Sequence, residues 1–180
     1  MCHRIRSYIP ASLILFLTLN PVVGTASDID ASSELAVASE LSAANLYSVS
    51  NLSVINQEGG VNNVYVRQVG YNNYTSSHQD GNRNTVSVTQ SGEGNVTQSS
   101  QVGDHNLSTL IQVGYENFID IDQYGIGNAA GISQIGIQNS AQVEEIGSFH
   151  KVNIIQSGNG LHTSVTVTGT ATTTYISQYD

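Results

Sequence analysis

The sequence is poor in charged residues, proline and tryptophan. Of its 180 residues only 11% are charged, two are Pro and none is Trp. This composition is not typical of a domain packed around a bulky interior. Gly, Asn, Gln, Ser, Thr and Val are abundant instead, a mixture that favours disorder unless it is regularly arranged along the chain. The fold therefore depends on whether the sequence contains a repeat.

The only cysteine, Cys2, lies in a segment with the features of a secretory signal peptide. Arg4 and Arg6 precede an apolar stretch from residue 9 to 19, and small residues follow at 24–26. The apolar stretch is shorter than the roughly 20 residues that span a bilayer. We predict a signal peptide over residues 1–26 and an exported chain. A retained membrane anchor is the less favoured alternative, because no apolar residues extend the stretch.

Removal of this segment leaves a chain with no cysteine and few basic residues. The exported protein would have no disulfide, although it enters an oxidising compartment. Three basic and 14 acidic residues would remain, which gives a net charge of −11. This charge argues against nucleic acid or anionic lipid as the main partner.

Glycine recurs every 11 residues without insertion or deletion, and Gln and Asn recur with it at fixed offsets. The glycines are Gly59, Gly70, Gly81, Gly92, Gly103, Gly114, Gly125, Gly136, Gly147, Gly158 and Gly169. The glutamines are Gln57, Gln68, Gln79, Gln90, Gln101, Gln112, Gln123, Gln134, Gln156 and Gln178. The asparagines are Asn51, Asn62, Asn73, Asn84, Asn95, Asn106, Asn117, Asn128 and Asn139.

The repeat predicts strands rather than helices. An 11-residue period is also that of a right-handed coiled coil. A glycine in every unit would cost such a helix about 1 kcal/mol each time, and the intervening Val, Ile and Thr favour strands. Within a unit the residues alternate with period two, so that Asn117, Ile119, Ile121 and Gln123 share one face of a strand. The Gly-containing segments are predicted to be short arcs between strands.

Identical residues at identical offsets favour stacking over antiparallel hairpins, which do not require such identity. In a stacked array each side chain lies over its counterpart about 4.8 Å away, and Asn and Gln form ladders. Two strands per rung give a 22-residue repeat. We therefore predict an all-β, amyloid-like, parallel two-sheeted β-solenoid of about six rungs over residues 51–178. One sheet ends its strands at residues 57, 79, 101, 123, 145 and 167, and the other at 68, 90, 112, 134, 156 and 178.

The unit Q-x-G-x-x-N-x-φ-x-φ-x-Q, where φ is small or apolar, closely resembles the curlin repeat of curli amyloid subunits over residues 51–178. The resemblance implies an extracellular structural fibre of biofilm matrix, with no catalytic activity and no cofactor. It also implies secretion through an outer-membrane channel with accessory factors, and assembly with itself and with other curlin subunits. By the same resemblance the Asn and Gln series are the ladder residues and the Gly series forms the arcs.

The resemblance leaves the type of subunit open. The chain lacks the Gly-rich leader typical of the major, fibre-forming subunit, and residues 33–41 look like the start of a minor, nucleating subunit. Residues 177–179 instead resemble the end of a major subunit. We favour the nucleating subunit and expect the irregular segment 27–50 to contribute to secretion targeting. An ice- or carbohydrate-binding solenoid is the alternative from another class.

The repeat changes near its end. Glu145 and Val167 replace Gln in one sheet, and His150, Leu161 and Thr172 replace Asn in the last three strands. We expect the last two rungs to stack less well. Two interpretations remain open: sequence drift or capping in a terminal repeat, and an end reserved for a partner or the cell surface.

Acidic residues cluster on the outer face near this end. Asp120, Asp122 and Glu144, with Glu145 beside them, are candidate gatekeepers whose charges would slow uncontrolled stacking. A solvated acidic face is the alternative interpretation. Paired catalytic carboxylates are not favoured, because no cleft-forming loop interrupts the repeat. The histidines occupy different offsets, so no metal site is expected.

Overall fold

The computed structural model describes residues 51–180, all of which belong to an all-β array of twelve strands. The predicted signal peptide (1–26) and N-terminal segment (27–50) lie outside the described residues. Within residues 51–180 no helix is present that could cross a membrane. The strands are β1 Leu52–Gly60, β2 Asn63–Tyr71, β3 Tyr74–Asn82, β4 Thr85–Glu93, β5 Val96–Asp104, β6 Leu107–Tyr115, β7 Phe118–Ile126, β8 Ala129–Ile137, β9 Ser140–Ser148, β10 Lys151–Asn159, β11 His162–Thr170 and β12 Thr173–Tyr179.

Alternate strands belong to opposite sheets. The odd sheet has the order β1-β3-β5-β7-β9-β11 and the even sheet the order β2-β4-β6-β8-β10-β12. All pairings are parallel, and each residue pairs with the residue 22 positions later, as Gln79 does with Gln101 and Gly81 with Gly103. The predicted β-solenoid with a 22-residue rung and six rungs is confirmed.

The interior is thin and its polarity changes along the axis. Alternation along β3 to β10 buries the two positions between the Asn and Gln positions, while in the terminal rungs these positions are half-buried or exposed. In the middle rungs these positions hold aliphatic side chains such as Leu110, Ile121 and Ile154, all fully buried. In the odd sheet, β3 and β5 instead bury the hydroxyl residues Thr75, Ser77, Thr97 and Ser99. Close approach of the two sheets, rather than bulky packing, removes these small side chains from water.

The strands are longer and the corners shorter than the sequence pattern predicts. All strands except β12 have nine residues, and only two residues separate consecutive strands. The repeat glycine therefore lies inside the paired strand, not in an arc. The chain turns at the residue before each Asn position, which has φ between 53° and 68° in all eleven corners. Only Gly94, Gly127 and Gly160 are glycines there, while Val61 and Phe149 adopt this left-handed conformation at a steric cost.

Candidate assembly surface of amide ladders and glycine columns

The repeat glutamines form one hydrogen-bonded ladder in each sheet. Gln57 is exposed, Gln68 and Gln178 are half-buried, and the others are buried. Each Nε2 donates to Oε1 of the glutamine 22 residues later, at 2.6–3.0 Å. All these bonds point towards the C-terminal rung, so each ladder has a direction. The bonds join Gln57 to Gln79, Gln101 and Gln123 in the odd sheet, and Gln68 to Gln90, Gln112, Gln134, Gln156 and Gln178 in the even sheet.

The same glutamines also join the two sheets. Gln112 Nε2 donates to the Val96 carbonyl at 3.0 Å, and Thr97 Oγ1 donates to Gln112 Oε1 at 2.9 Å. Ser108 makes the equivalent bond to Gln123 Oε1 at 2.9 Å. Buried amides without partners would destabilise the fold, and these bonds remove that cost. The hydroxyl partners were not predicted; a Ser or Thr 15 residues before a ladder Gln is the sequence signal that could have identified them.

The asparagines connect successive rungs at the corners. Asn95 Oδ1 accepts a hydrogen bond from the Asn117 N–H at 3.2 Å, and Asn95 Nδ2 donates to the Gly114 carbonyl at 3.0 Å. The N–H contact at 22 residues recurs from Asn51 to Asn139, and the glycine contact at 19 residues recurs with it. Because the asparagines bind backbone groups, they support the turn of the chain as well as the stacking.

The repeat glycines form two columns in which no side chain fits. Gly103 has φ of 118°, and a Cβ placed on it would overlap the carbonyl oxygen of Gly125 in the next rung. The same overlap with the glycine of the next rung occurs from Gly59 to Gly147. At Gly169, in the last rung of the odd sheet, nothing lies within 4 Å of the Cβ position. The glycines are thus required by the approach of the next rung.

Glu145 interrupts the ladder of the odd sheet. It lies between Gln123 and Val167 in the strand register, the position expected from the repeat. It is fully buried, so it does not belong to the outer face with the other candidate gatekeepers. Gln123 Nε2 donates to its Oε2 at 2.6 Å, while Oε1 has no partner among residues 51–180. Burial raises the pKa of the Glu145 carboxyl, and the Gln123 hydrogen bond only partly opposes this effect. Protonation would remove the cost of a buried charge at this position.

His150 replaces Asn and keeps its contact with the N–H 22 residues later, but not the contact with the glycine carbonyl 19 residues later. Its Nδ1 accepts from the Thr172 N–H at 3.3 Å, and its Nε2 lies 3.3 Å from the Ile146 carbonyl, where it donates in the neutral Nε2–H tautomer. Leu161 and Thr172 have no such side chain. The backbone register nevertheless continues unchanged through β11 and β12. The irregularity of the last two rungs is therefore confined to their side-chain ladders.

The outer acidic cluster follows the same register. Asp122 pairs with Glu144, and Asp120 lies on the same strand face. With Gln142, these residues line a shallow depression of about 250 Å³. Burial is the main reason that the pKa of Asp122 is raised, and the charges of Asp120 and Glu144 add to it. Among residues 51–180 no three His, Cys, Asp or Glu side chains are grouped as metal ligands.

A comparison with known protein families agrees with this geometry. The family described as "Curlin associated repeat" matches residues 62–92, 81–114 and 114–147. These three matches lie within the continuous array of strands and cover its most regular rungs. No curated protein matches the chain. The chain therefore carries three curlin associated repeats.

Proposed function

We propose that this protein is a secreted structural subunit of a curli-type amyloid fibre in biofilm matrix, and that it nucleates polymerisation of the major subunit at the cell surface. The observation that carries the proposal is the stacking of identical amides every 22 residues. The terminal strands of each sheet have one edge with which no other strand among residues 51–180 pairs. Open parallel edges recruit further strands, and Asn and Gln ladders are characteristic of amyloid stacking.

The ladders supply the specificity of this templating. A strand added to an end must present Asn and Gln at the same offsets to satisfy the buried amides of the rung below. A shift of one residue would turn the ladder residues to the other face of the strand. An incoming curlin repeat is therefore held in one register, and its backbone completes the hydrogen bonds of the edge.

Export and surface attachment are part of the proposal. The apolar segment before residue 26 and the absence of cysteine after Cys2 support secretion of a chain that needs no disulfide. We propose that residues 27–50 direct the chain to an outer-membrane channel with its accessory factors. The partners are then the major subunit and the chain itself.

A seeding experiment tests the nucleating role. The exported form, residues 27–180, is added at about one molecule per hundred to freshly unfolded major curlin subunit, and thioflavin fluorescence is followed. We expect a shorter lag phase, and no shortening with the Gly103→Ala variant as control. An unchanged lag would refute nucleation, and rapid fibre growth of the chain alone would favour a major subunit.

The solenoid-binding alternative has less support. Ice or carbohydrate binding would use a regular outer array, but one outer stack of the even sheet is irregular. It consists of Arg67, Thr89, Ile111, Ser133, Ile155 and Ser177. A soluble monomer without cross-β diffraction would revive that alternative.

A further inference from the structure

The two ends of the solenoid differ in their ladder residues. The N-terminal rung, β1 and β2 with the corner residues before them, has the full set: Asn51, Gln57, Asn62 and Gln68. The C-terminal rung, β11 and β12 with their preceding corner residues, retains only Gln178. Leu161, Val167 and Thr172 occupy its other ladder positions.

The direction of the hydrogen bonds determines what each end requires. Within the chain, Gln Nε2 donates towards the C-terminal rung and Asn Oδ1 accepts the N–H of the following rung. A rung stacked on the N-terminal end must therefore donate Nε2 groups to Oε1 of Gln57 and Gln68. It must also offer Oδ1 atoms to the N–H groups of Asn51 and Asn62.

The glycine column adds a further requirement at this end. In the regular rungs, the carbonyl of the repeat glycine accepts from an Asn Nδ2 located 19 residues earlier. For Gly59 that donor would come from the second strand of the added rung. Within residues 51–180 no strand pairs with the outer edges of β1 and β2.

A second copy of this chain meets few of these requirements. Its C-terminal rung would place Gln178 under Gln68, which continues the even ladder. Val167 would lie under Gln57 without a donor, and neither Leu161 nor Thr172 has an amide for Asn51, Asn62 or Gly59. A junction between two copies therefore loses one of two Gln contacts and all the Asn contacts.

We propose that the N-terminal rung is the docking surface for a different curlin-repeat chain, one whose own last rung has Asn and Gln in both strands, and that this chain stacks poorly on itself. This inference rests on the proposed fibre function and gives it a polarity. The fibre extends from β1 and β2, and the C-terminal rung remains outside the stack.

Repair of the C-terminal rung tests the proposal. The repaired chain has Glu145→Gln, Leu161→Asn, Val167→Gln and Thr172→Asn in the full-length protein, with Glu145→Gln alone as the control for stability. Fibre elongation is measured by thioflavin fluorescence and electron microscopy. Because several amide bonds are restored, we expect the repaired chain to elongate at least about tenfold faster than the natural chain and the control. Equal rates for natural and repaired chains would overturn the proposal.

Matched changes at the two ends locate the docking surface. The repaired chain is the assembling protein. The natural chain, or a variant of it, is added at substoichiometric amounts, and the lag before the repaired chain assembles is measured. We expect Gln57→Leu with Gln68→Leu to abolish the acceleration, and Gln178→Leu to leave it unchanged. If the chain with Gln57→Leu and Gln68→Leu still accelerated assembly, the proposal would be overturned. The same result would be expected if residues 27–50 covered this rung, and that case also overturns the proposal.

Gly169 provides a test at the free face of the C-terminal rung. Its φ of 104° strains an Ala, so circular dichroism of the monomer must first show that the Gly169→Ala variants keep the β-solenoid. Nothing lies within 4 Å of its Cβ position, so only a rung stacked on the C-terminal end would meet the new methyl group. We expect Gly169→Ala to leave the acceleration by the natural chain unchanged, and to slow elongation of the repaired chain about tenfold or more. Loss of acceleration by the natural chain would place the docking surface at the C-terminal end. If no variant forms cross-β fibres, the proposed function itself fails.

Discussion

Replacement of Glu145 by Gln should stabilise the solenoid, and more strongly at neutral than at acidic pH. Glu145 is fully buried in a column of glutamines, and its Oε1 has no partner among the described residues. The glutamines of the neighbouring strands donate Nε2 to a carbonyl 16 residues earlier, as Gln134 does to Phe118 at 2.9 Å. A Gln at position 145 would make the same bond to the Ala129 carbonyl.

The expected magnitude follows from these contacts. One added hydrogen bond contributes about 1 kcal/mol, and a buried polar atom without a partner costs about 1–3 kcal/mol. We therefore expect Glu145→Gln to raise the free energy of unfolding by about 1–3 kcal/mol at pH 7.5. Because burial raises the pKa of the folded Glu145, this residue is least destabilising in acid, and its cost to stability grows as the pH rises through that pKa. The gain should shrink towards pH 4.

The assay is urea unfolding of freshly prepared monomer, followed by circular dichroism at pH 4 and pH 7.5. Glu144→Gln is the matched control, since it removes the same charge from the adjacent, solvent-facing residue. We expect the control to change the unfolding free energy by less than about 1 kcal/mol. A Glu145→Gln variant that is less stable at pH 7.5, or equally stabilised at both pH values, would refute the reasoning.

Three further predictions concern the glycine columns, the corner histidine and the acidic cluster. Gly103→Ala should destabilise the monomer by more than about 2 kcal/mol in urea unfolding, because its Cβ overlaps the next rung. Gly160→Ala is the control: nothing lies near its Cβ position, and it should cost about 1 kcal/mol. Equal effects of the two substitutions would contradict the glycine column. In thermal unfolding, His150→Asn should preserve stability, whereas His150→Leu should lower the free energy of unfolding by about 1–3 kcal/mol, because only Leu leaves the Thr172 N–H unpaired. Equal losses would count against the imidazole contact. Asp120→Asn with Asp122→Asn should shorten the lag before fibre formation, followed by thioflavin fluorescence, at pH 7.5 but not at pH 4. At pH 4 acid protonates these carboxyls, whose pKa is raised by burial, so the substitution removes little charge. An unchanged lag at pH 7.5 would favour a solvated acidic face.

The sequence predicted the fold well because the repeat constrains it at every level. Alternation sets the faces of each strand, and an uninterrupted period fixes the 22-residue register that pairs Gln79 with Gln101. The division into two sheets of six strands followed from the same count. Stacking of identical amides is a property of the repeat itself and needs no knowledge of distant contacts.

The corners and the role of glycine were not predictable in the same way. Glycine suggests a turn, yet Gly103 lies within a strand because the carbonyl of Gly125 takes the place of a side chain. The turn instead uses residues such as Val61 and Phe149, which have no intrinsic preference for positive φ. An Asn follows the first eight corners, such as Asn62 after Val61, and supports that conformation through backbone hydrogen bonds, which outweigh local preference.

The candidate site was predicted in position but not in detail. The interruption at Glu145 and its neighbours in the ladder were evident from the repeat. The partial equivalence of His150 to Asn was not, because it depends on both ring nitrogens reaching backbone groups. The contacts between Gln112 and Thr97 also require the two sheets to be placed together.

The central claim is that the 22-residue rung is the unit of the fibre. Cysteine crosslinking within assembled fibres tests it most directly. A chain that begins at residue 27, the proposed start of the exported form, has no cysteine, so pairs can be introduced on the outer face. Thr89 and Ile111 are register partners in β4 and β6, whereas Thr89 and Ser100 lie on opposite sheets. Disulfides require Cα atoms about 4.4–6.8 Å apart. The structure predicts rapid oxidation of Thr89→Cys with Ile111→Cys in cross-β fibres and none of Thr89→Cys with Ser100→Cys; equal oxidation of both pairs would contradict it.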